Sequence, residues 1–270
     1  MTQCTKKRKH FLALHKPGNP FVSPNPWDIG SARMMQDLGF CGLATTSSGF
    51  AATLGRRDYA VSHEETMAYA SAIANTVDIP VSADLENGFG ESVDAVAKTM
   101  TLAANTSLCG GSIEDVSGDA DNPIYELSHA TARIKAAVQA IKKSGFVLTA
   151  RADGLLHGVT DLNMIIERLQ AFEAAGADVL FAPGLPDLDA VHKVCSAVSQ
   201  PVNVLVLFGL TQHSLDDFAQ AGAARLSIGG ALAFNAYGSL AGAADAMLGD
   251  GKFAGLTPTP GAKRIKTYLN

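Results

Sequence analysis

Acidic side chains stand directly after several short apolar runs of the sequence, where parallel strands would end. Six carboxylates occupy such positions after the first five runs: Asp28, Asp84, Glu86, Glu114, Asp115 and Asp153. Arg151 is the only cation among them, and a carboxylate cluster repels itself unless a cation or a proton neutralises it. Oxygen ligands without a nearby histidine or cysteine favour a hard ion such as Mg²⁺ or Mn²⁺. The sequence predicts a metal site formed by Asp84, Glu86 and Glu114; the alternative is that these acids cap helices or stay solvated in loops.

The positions of the lysines argue against one competing chemistry. A Schiff-base aldolase needs a desolvated lysine at the end of a strand, and every lysine here falls in a predicted helix, a helix end or a terminal segment. Phosphate binding is a second alternative, because Phe208-Gly209 and Gly229-Gly230 could expose backbone N–H groups after the last two strands. Tight turning explains the same glycines, and we favour it.

These positions presuppose eight strands that alternate with helices. The predicted strands are Phe21–Val22, Phe40–Ala44, Ile79–Ala83, Gly111–Glu114, Phe146–Ala150, Val179–Ala182, Val202–Leu207 and Arg225–Ile228. Seven helices are predicted at Ser31–Leu38, His63–Thr76, Ser92–Asn105, Ser128–Lys143, Asp161–Ala175, Asp187–Val198 and Ser214–Ala221, with one or two more after Ala231. This alternation predicts an α/β protein with a (β/α)8 TIM barrel, whose active site lies at the C-terminal ends of the strands. A Rossmann sheet would need G-x-G-x-x-G after its first strand, and the chain has no such motif there.

Composition excludes several other classes of protein. With 270 residues, 47% of them hydrophobic, and a net charge of −5, the chain is neither a disordered protein nor a nucleic-acid binder. No linker divides it, so we predict a single (β/α)8-barrel domain over residues 1–270. No apolar run of about 18 residues would span a membrane. The four cysteines lack zinc-ligand spacing, and we expect free thiols in a cytoplasmic protein.

Four motifs together resemble those of the isocitrate lyase/phosphoenolpyruvate mutase superfamily. They are Asn25–Asp28, Ala83–Gly90, Ile113–Asp115 and Ala150–Asp153, and their order and spacing match over about residues 15–235. The resemblance implies a barrel that holds Mg²⁺ and passes through enolate intermediates of 2-oxo acids. It implies that Asp84 binds the metal directly, whereas Glu86 and Glu114 hold it largely through water molecules.

The resemblance also implies how the substrate is held. The candidate substrate-binding residues are Ser48, Gly49, Phe50, Arg151 and Asn203. Arg151 would grip the substrate carboxylate, and the hydroxyl and backbone amides of the Ser48–Phe50 turn would receive the carboxylate and enolate oxygens. Asp58 corresponds to a loop aspartate beside the reacting group. The candidate catalytic residues are therefore Asp58, Arg151 and Ser48.

One loop departs from the family pattern. The lyases carry a K-K-C-G-H-type loop with a catalytic cysteine, but the corresponding segment Asp115–Pro123 has no Cys, His or Lys. We therefore predict a Mg²⁺-dependent lyase or decarboxylase that cleaves a C–C bond of a small 2-oxo or 2-hydroxy carboxylate. The alternatives are P–C bond chemistry on a phosphonopyruvate-like substrate, with Arg56, Arg57 and Arg151 as the available cations, and a non-catalytic barrel that binds a carboxylate.

The C-terminal segment suggests how the chain assembles. Superfamily members commonly form tetramers in which a C-terminal helix exchanges between neighbours. The segment Leu232–Leu248 is small and apolar and could pack in that way. We expect a homo-oligomer, either a dimer or a tetramer, in which this helix could be swapped.

Overall fold

Eight parallel strands form the centre of the molecule in the computed structural model, which describes residues 3–268. The strands are β1 (Phe21–Val22), β2 (Leu43–Ala44), β3 (Val81–Asp84), β4 (Gly110–Glu114), β5 (Val147–Arg151), β6 (Val179–Phe181), β7 (Val202–Leu205) and β8 (Arg225–Ser227). Each strand from β2 to β7 pairs with the next in sequence, and β8 pairs with β1. The backbone N–H of Ala44 donates to the carbonyl of Pro24 at 3.2 Å, which connects β2 with the segment after β1. The expected (β/α)8 barrel is confirmed.

Helices surround the sheet in the expected alternation. They are α1 (Gln3–Leu14), α2 (Ile29–Asp37), α3 (Ser47–Thr53), α4 (His63–Thr76), α5 (Val93–Ala104), α6 (Leu127–Ile141), α7 (Leu162–Ala175), α8 (Leu188–Ala197), α9 (Leu215–Gln220), α10 (Ala231–Gly249) and α11 (Pro260–Tyr268). Helix α3 was expected to be a turn. It forms because the side chain of Thr46 accepts a hydrogen bond from the N–H of Gly49 and so caps the helix.

Two predicted strands are shorter by two residues or more in the structure than in the prediction. The second begins at Leu43 rather than at Phe40. The seventh ends at Leu205, because the chain then turns into a short 3₁₀ segment at Phe208–Leu210. Both apolar runs therefore continue beyond their strands into the loops.

The N-terminal helix α1 packs against the bottom of the barrel. Its Phe11 is fully buried in a cluster with Cys109, Val147 and Val179, at the N-terminal ends of β4, β5 and β6. Its Arg8 is also buried and donates to backbone carbonyls that include those of Leu108, Ala104 and Ser144. Helix α1 therefore covers the end of the barrel opposite to the predicted active site.

A polar layer lies inside the barrel above this cluster. Arg225 donates from Nε to the side-chain oxygen of Asn203 at 2.8 Å and from one terminal nitrogen to the hydroxyl of Thr149 at 3.3 Å. Its other terminal nitrogen lies 3.2 Å from Nε2 of His15, which must accept because a guanidinium only donates. Burial, followed by the charge of Arg225, lowers the pKa of His15 to about 3. His15 is therefore neutral at physiological pH.

The last two helices lie at the edge of the fold. Within α10, Ala233 is buried, whereas Phe234, Leu240 and Leu248 are exposed. The two C-terminal helices match the expectation of one or two closing helices. No helix in residues 3–268 is long and apolar enough to cross a membrane.

Candidate active site

A cavity of about 360 Å³ opens at the C-terminal ends of the strands. Parallel register aligns the residues around it: Asp84 lies beside Ser112, Glu114 beside Arg151, and Arg151 beside Phe181. Five predicted site residues line the cavity, namely Ser48, Asp58, Asp84, Glu114 and Arg151. The alternation of strands and helices thus brings together residues that are about a hundred positions apart in sequence.

Arg151 connects three of the strand-end carboxylates. One terminal nitrogen lies 3.2 Å from Oδ1 of Asp84 and 3.0 Å from Oε2 of Glu114. The other terminal nitrogen and Nε donate to the two oxygens of Asp153, at 2.6 and 3.1 Å. Burial alone would lower the pKa of Arg151, but the charges of Asp153, Glu114 and Asp84 raise it well above its usual value. The guanidinium is permanently charged.

Negative charge nevertheless exceeds positive charge in this cluster. Burial and then the charges of Asp84 and Asp58 raise the pKa of Glu86 to about 8. Burial likewise raises the pKa of Glu114 well above its usual value, although Arg151 opposes the shift, and burial and Asp84 raise that of Asp58. Burial and the neighbouring negative charges both disfavour the ionised form of these carboxyl groups, and a nearby positive charge would oppose both effects. A divalent cation would supply the missing charge.

The donor set fits a hard, hydrated cation. Among residues 3–268, no group of three or more Asp, Glu, His or Cys side chains is arranged to bind one ion directly. Mg²⁺ commonly takes one or two carboxylates and keeps several waters, so it needs no such cage. The oxygen-rich surroundings of Asp84 and Glu114, with Glu86 buried nearby, suit that mode of binding.

Tyr59 is a cavity residue that sequence reasoning missed. Its hydroxyl donates to Oε1 of Glu114 at 2.5 Å, although the two residues are 55 positions apart. Burial and the charge of Glu114 raise the pKa of Tyr59 above its usual value, so the hydroxyl stays protonated. The backbone of Tyr59 has a φ of 62°, an uncommon value for a residue other than glycine. The one available signal was its position next to Asp58.

Arg133 is a second residue that sequence reasoning missed. Projecting from α6, it donates to the carbonyls of Asn87, Gly90 and Glu91, in the turn that follows β3. Its guanidinium also lies 4.5 Å from the ring centre of Tyr125. These bonds fix the turn after the acidic motif, in which Glu86 itself adopts a φ of 48°.

The Ser48–Phe50 segment belongs to the first turn of helix α3 and is not an open turn. Ser48 faces the cavity, and its hydroxyl lies 3.2 Å from that of Thr46. The N–H of Gly49 is already bonded to the Thr46 side chain, and the ring of Phe50 stacks on Tyr69 away from the cavity. The amide that faces the acidic cluster is that of Ser47, which donates to Oδ2 of Asp84 at 3.2 Å.

Other candidates lie outside the cavity lining. Asn203 is fully buried in the polar layer below, where it accepts from Arg225 and donates to Ser227. Asp28 caps α2 by accepting from the N–H of Ser31 at 2.6 Å. Asp115 pairs with Arg168 at 3.1 Å, a cation that the sequence analysis did not associate with the cluster. These acids have structural partners, unlike Glu86.

The chain is similar to known proteins over most of its length. The family model described as phosphoenolpyruvate phosphomutase matches residues 11–248. An uncharacterised protein of Mycobacterium tuberculosis is 33% identical over 221 residues, 81% of each chain. The 2-methylisocitrate lyase of Escherichia coli is 30% identical over 209 residues, which cover 71% of this chain and 70% of that enzyme.

Solved structures give the same relationship. A candidate lyase/mutase from Burkholderia cenocepacia superposes with a TM-score of 0.93 at 43% identity, covering 98% of this chain and 96% of that one. A 2,3-dimethylmalate lyase superposes with a TM-score of 0.84 at 26% identity, covering 100% of this chain and 95% of that one.

Proposed function

The chain belongs to the phosphoenolpyruvate phosphomutase family, within the isocitrate lyase/phosphoenolpyruvate mutase superfamily, and from this premise we propose a specific activity for it. It is a Mg²⁺-dependent enzyme that cleaves a C–C bond of a small 2-oxo or 2-hydroxy carboxylate through an enolate. Retro-aldol cleavage or decarboxylation are the two forms of this reaction. The observation that carries the proposal is the excess of carboxylates around Arg151 at the strand ends.

Asp84, Glu86 and Glu114 would hold the metal, with Asp84 as the direct ligand. A bound divalent ion acts as a Lewis acid and stabilises the negative charge that develops on the oxygen of an enolate. Mn²⁺ has the same preference for oxygen ligands and could replace Mg²⁺. In this role Tyr59 keeps Glu114 oriented through its hydroxyl, and the N–H of Ser47 does the same for Asp84.

Arg151, Ser48 and Asp58 would act on the substrate. One terminal nitrogen of Arg151 is shared between Asp84 and Glu114, and it could turn to a substrate carboxylate once a cation neutralises those acids. The Ser48 hydroxyl faces the same space and can donate to a substrate oxygen. Asp58 lies on the loop between α3 and α4 and lines the cavity, where it would accept or return a proton of the substrate.

P–C bond chemistry has less support in this cavity. It would require cations for the oxygens of a phosphonate, and the sequence offers Arg56, Arg57 and Arg151 for that purpose. Neither Arg56, which forms an ion pair with Glu65 at 2.9 Å, nor Arg57 lines the cavity, so Arg151 is the one of the three that could reach a substrate there. The C–C reaction needs an electron sink, which the bound Mg²⁺ would supply, and a single carboxylate anchor, which Arg151 would supply.

The exposed apolar side chains of α10 support a homo-oligomer. Phe234, Leu240 and Leu248 are 53%, 65% and 88% exposed. A helix with so many solvent-facing apolar residues is typical of a protein–protein interface. We propose a dimer or tetramer in which α10 packs on a neighbouring copy, with exchange of the helix as one form of that contact.

Turnover of a panel of acids tests the activity. Products would be identified by mass spectrometry after incubation with 2-oxo acids, 2-hydroxy acids and phosphonopyruvate, each with and without Mg²⁺. The proposal expects Mg²⁺-dependent C–C cleavage of at least one carboxylic acid. Release of inorganic phosphate from phosphonopyruvate alone would favour P–C chemistry, and tight binding without any turnover would favour a non-catalytic barrel.

A further inference from the structure

The candidate cavity has two chemically different sides. The charged side is built by the ends of β3, β4 and β5, which carry Asp84, Glu114 and Arg151. The opposite side is built by the segments after β5 and β7 and by the end of β6. Its lining residues are Leu156, Phe181, Leu205, Leu207 and Phe208.

The apolar residues lie on, or in the loops after, three consecutive strands of the barrel, β5, β6 and β7. The δ methyl groups of Leu205 and Leu207 both lie within 4 Å of the position that a Cβ on Gly229 would occupy, so the two side chains are neighbours. Phe181 meets the charged side, because the guanidinium of Arg151 lies 5.1 Å from its ring centre. We call this surface, formed by Leu156, Phe181, Leu205, Leu207 and Phe208, the apolar wall.

Part of the apolar wall is left open to solvent. Phe208 is 62% exposed and Leu156 is 43% exposed, although both line the cavity. Phe208 also has a φ of 54°, an unfavourable conformation for a residue with a side chain. Ligand binding is favoured when an apolar group of the ligand covers exposed apolar surface of the cavity.

Cations that could hold a second carboxylate are scarce on this side. Among the described residues that line the cavity after Asp153, the ionisable ones are His157 and Arg225. Arg225 lies one strand position below the wall, level with Asn203, and each of its three nitrogens already has a side-chain partner. His157 is exposed at the mouth of the cavity, where solvent would weaken an ion pair with a ligand carboxylate.

We infer that the apolar wall selects a substrate whose substituent beyond the reacting 2-oxo or 2-hydroxy acid head, which includes any carboxylate that leaves as CO₂, is an alkyl group rather than a further carboxylate arm. The inference rests on the proposed function, because it assumes that the acid head binds at the charged side. The head then lies against Arg151, and the substituent extends toward Leu207 and Phe208. A carboxylate in that position would lose hydration without gaining an ionic partner.

Two 2-oxo acids of nearly the same shape test the inference by binding alone. In 5-methyl-2-oxohexanoate an isopropyl group occupies the place that the distal carboxylate has in 2-oxoglutarate. Their affinities, and that of oxalate as a probe of the acid head, would be measured by calorimetry with Mg²⁺ at pH 8, where histidines are largely neutral. The alkyl acid is expected to bind about tenfold more tightly or better, the scale on which apolar pockets discriminate.

Variants of the wall provide the matched control. Phe208→Lys places a cation on an exposed part of the wall and should narrow or reverse the preference, and Leu207→Lys should act in the same direction. Leu102→Lys adds the same charge on α5, outside the cavity lining, and should leave the ratio of the two affinities unchanged. If Phe208→Lys, like Leu102→Lys, left the preference for the alkyl acid over 2-oxoglutarate unchanged, the role of the apolar wall would be overturned.

The outcomes separate this inference from the proposed function. Equal or tighter binding of 2-oxoglutarate by the unmodified protein, with oxalate also bound, would overturn the inference alone. Binding of oxalate without binding of either longer acid would do the same, because the wall would then accept no substituent. Failure of all three acids to bind would contradict both the inference and the proposed function.

Discussion

Arg151 is the one guanidinium that holds the strand-end carboxylates Asp84, Glu114 and Asp153 together. Such a cluster is stable only while charge is balanced. Glu86 is not among the ion-pair partners of Arg151, and burial, followed by the charges of Asp84 and Asp58, raises its pKa to about 8. Removing one partner from a buried ionic cluster usually leaves another charge uncompensated. The effect of each acid is therefore best tested with isosteric amides.

Asp84→Asn is expected to abolish Mg²⁺ binding while preserving the fold, since the amide retains the shape of the carboxylate and reduces repulsion with Glu86. Affinity should fall by about two orders of magnitude or more in a calorimetric titration, as expected when a direct ligand loses its charge. Asp28→Asn is the matched control. Asp28 also follows a strand, but it caps α2, and asparagine caps helices equally well. Loss of Mg²⁺ binding in both variants would contradict the assignment.

The cysteines are predicted to be dispensable for activity. Cys109 is buried beside Phe11 at the bottom of the barrel, and burial raises the pKa of its thiol. Burial likewise raises the pKa of Cys195, on α8, to about 12, so neither thiol is a ready nucleophile. A variant with Ser at Cys4 and Ala at Cys41, Cys109 and Cys195 should keep most of its turnover. It should lose on the order of 1 kcal/mol of stability at each buried site.

Loss of turnover on replacing Cys109 alone, with the fold and metal binding intact, would contradict this prediction. The cysteine-dependent mechanism of the lyases would then become the leading interpretation.

At the scale of elements, α1 and the polar layer above it form the closed end of the barrel. His15 connects the two: its Nδ1 donates to the carbonyl of Phe11 at 2.9 Å, and its Nε2 accepts from Arg225. Its ring also makes edge contacts with Phe11 and Phe21. A proton on Nε2 would face the buried guanidinium, so this end of the barrel requires the neutral imidazole.

Stability should therefore fall as the pH is lowered below the pKa of an unfolded histidine, about 6.5. The folded pKa of His15 is about 3, so the unfolded chain binds the extra proton between pH 6.5 and 3. Linkage then removes about 2 kcal/mol between pH 7 and pH 5. His15→Gln, which can still accept from Arg225, should be less stable at pH 7 but should lose less stability over this range in urea unfolding. An identical pH dependence in both proteins would contradict this explanation.

The barrel could be predicted because its strands and helix ends are marked by local patterns in the sequence, namely apolar runs and glycines that end helices. Sequence reasoning missed α3, since Ser47, Ser48 and Gly49 are poor helix formers and the cap at Thr46 is decisive. It also missed Tyr59 and Arg133. Their partners are roughly 40 to 55 positions away and are determined by where loops fold over the strand ends.

The candidate site was predictable to the extent that strands position it. Asp84, Glu114 and Arg151 end strands, and parallel register brings them together. Phe50 and Asn203 were predicted to bind the substrate, but the structure places the ring of Phe50 on Tyr69 and Asn203 in the polar layer. Side-chain direction within a loop or strand depends on packing that the sequence alone does not specify.

At the scale of the whole molecule, the exposed apolar face of α10 predicts self-association. Light scattering at micromolar concentration should give the mass of a dimer or a tetramer. Leu240→Asp places a charge on a residue that is 65% exposed and should shift the mass toward the monomer, whereas Leu102→Asp, on α5, should not. A monomeric mass for the unmodified protein would contradict the assembly proposal.

Metal dependence of the reaction tests the central claim most directly. The measurement is the initial rate of C–C cleavage by EDTA-treated protein as Mg²⁺ is restored, with the best substrate of the acid panel. The account predicts no measurable rate without the ion, saturable recovery as Mg²⁺ is added, and no recovery in Asp84→Asn. An unchanged rate in the EDTA-treated protein would contradict it, because the reaction would then proceed without a metal ion bound to the carboxylates around Arg151.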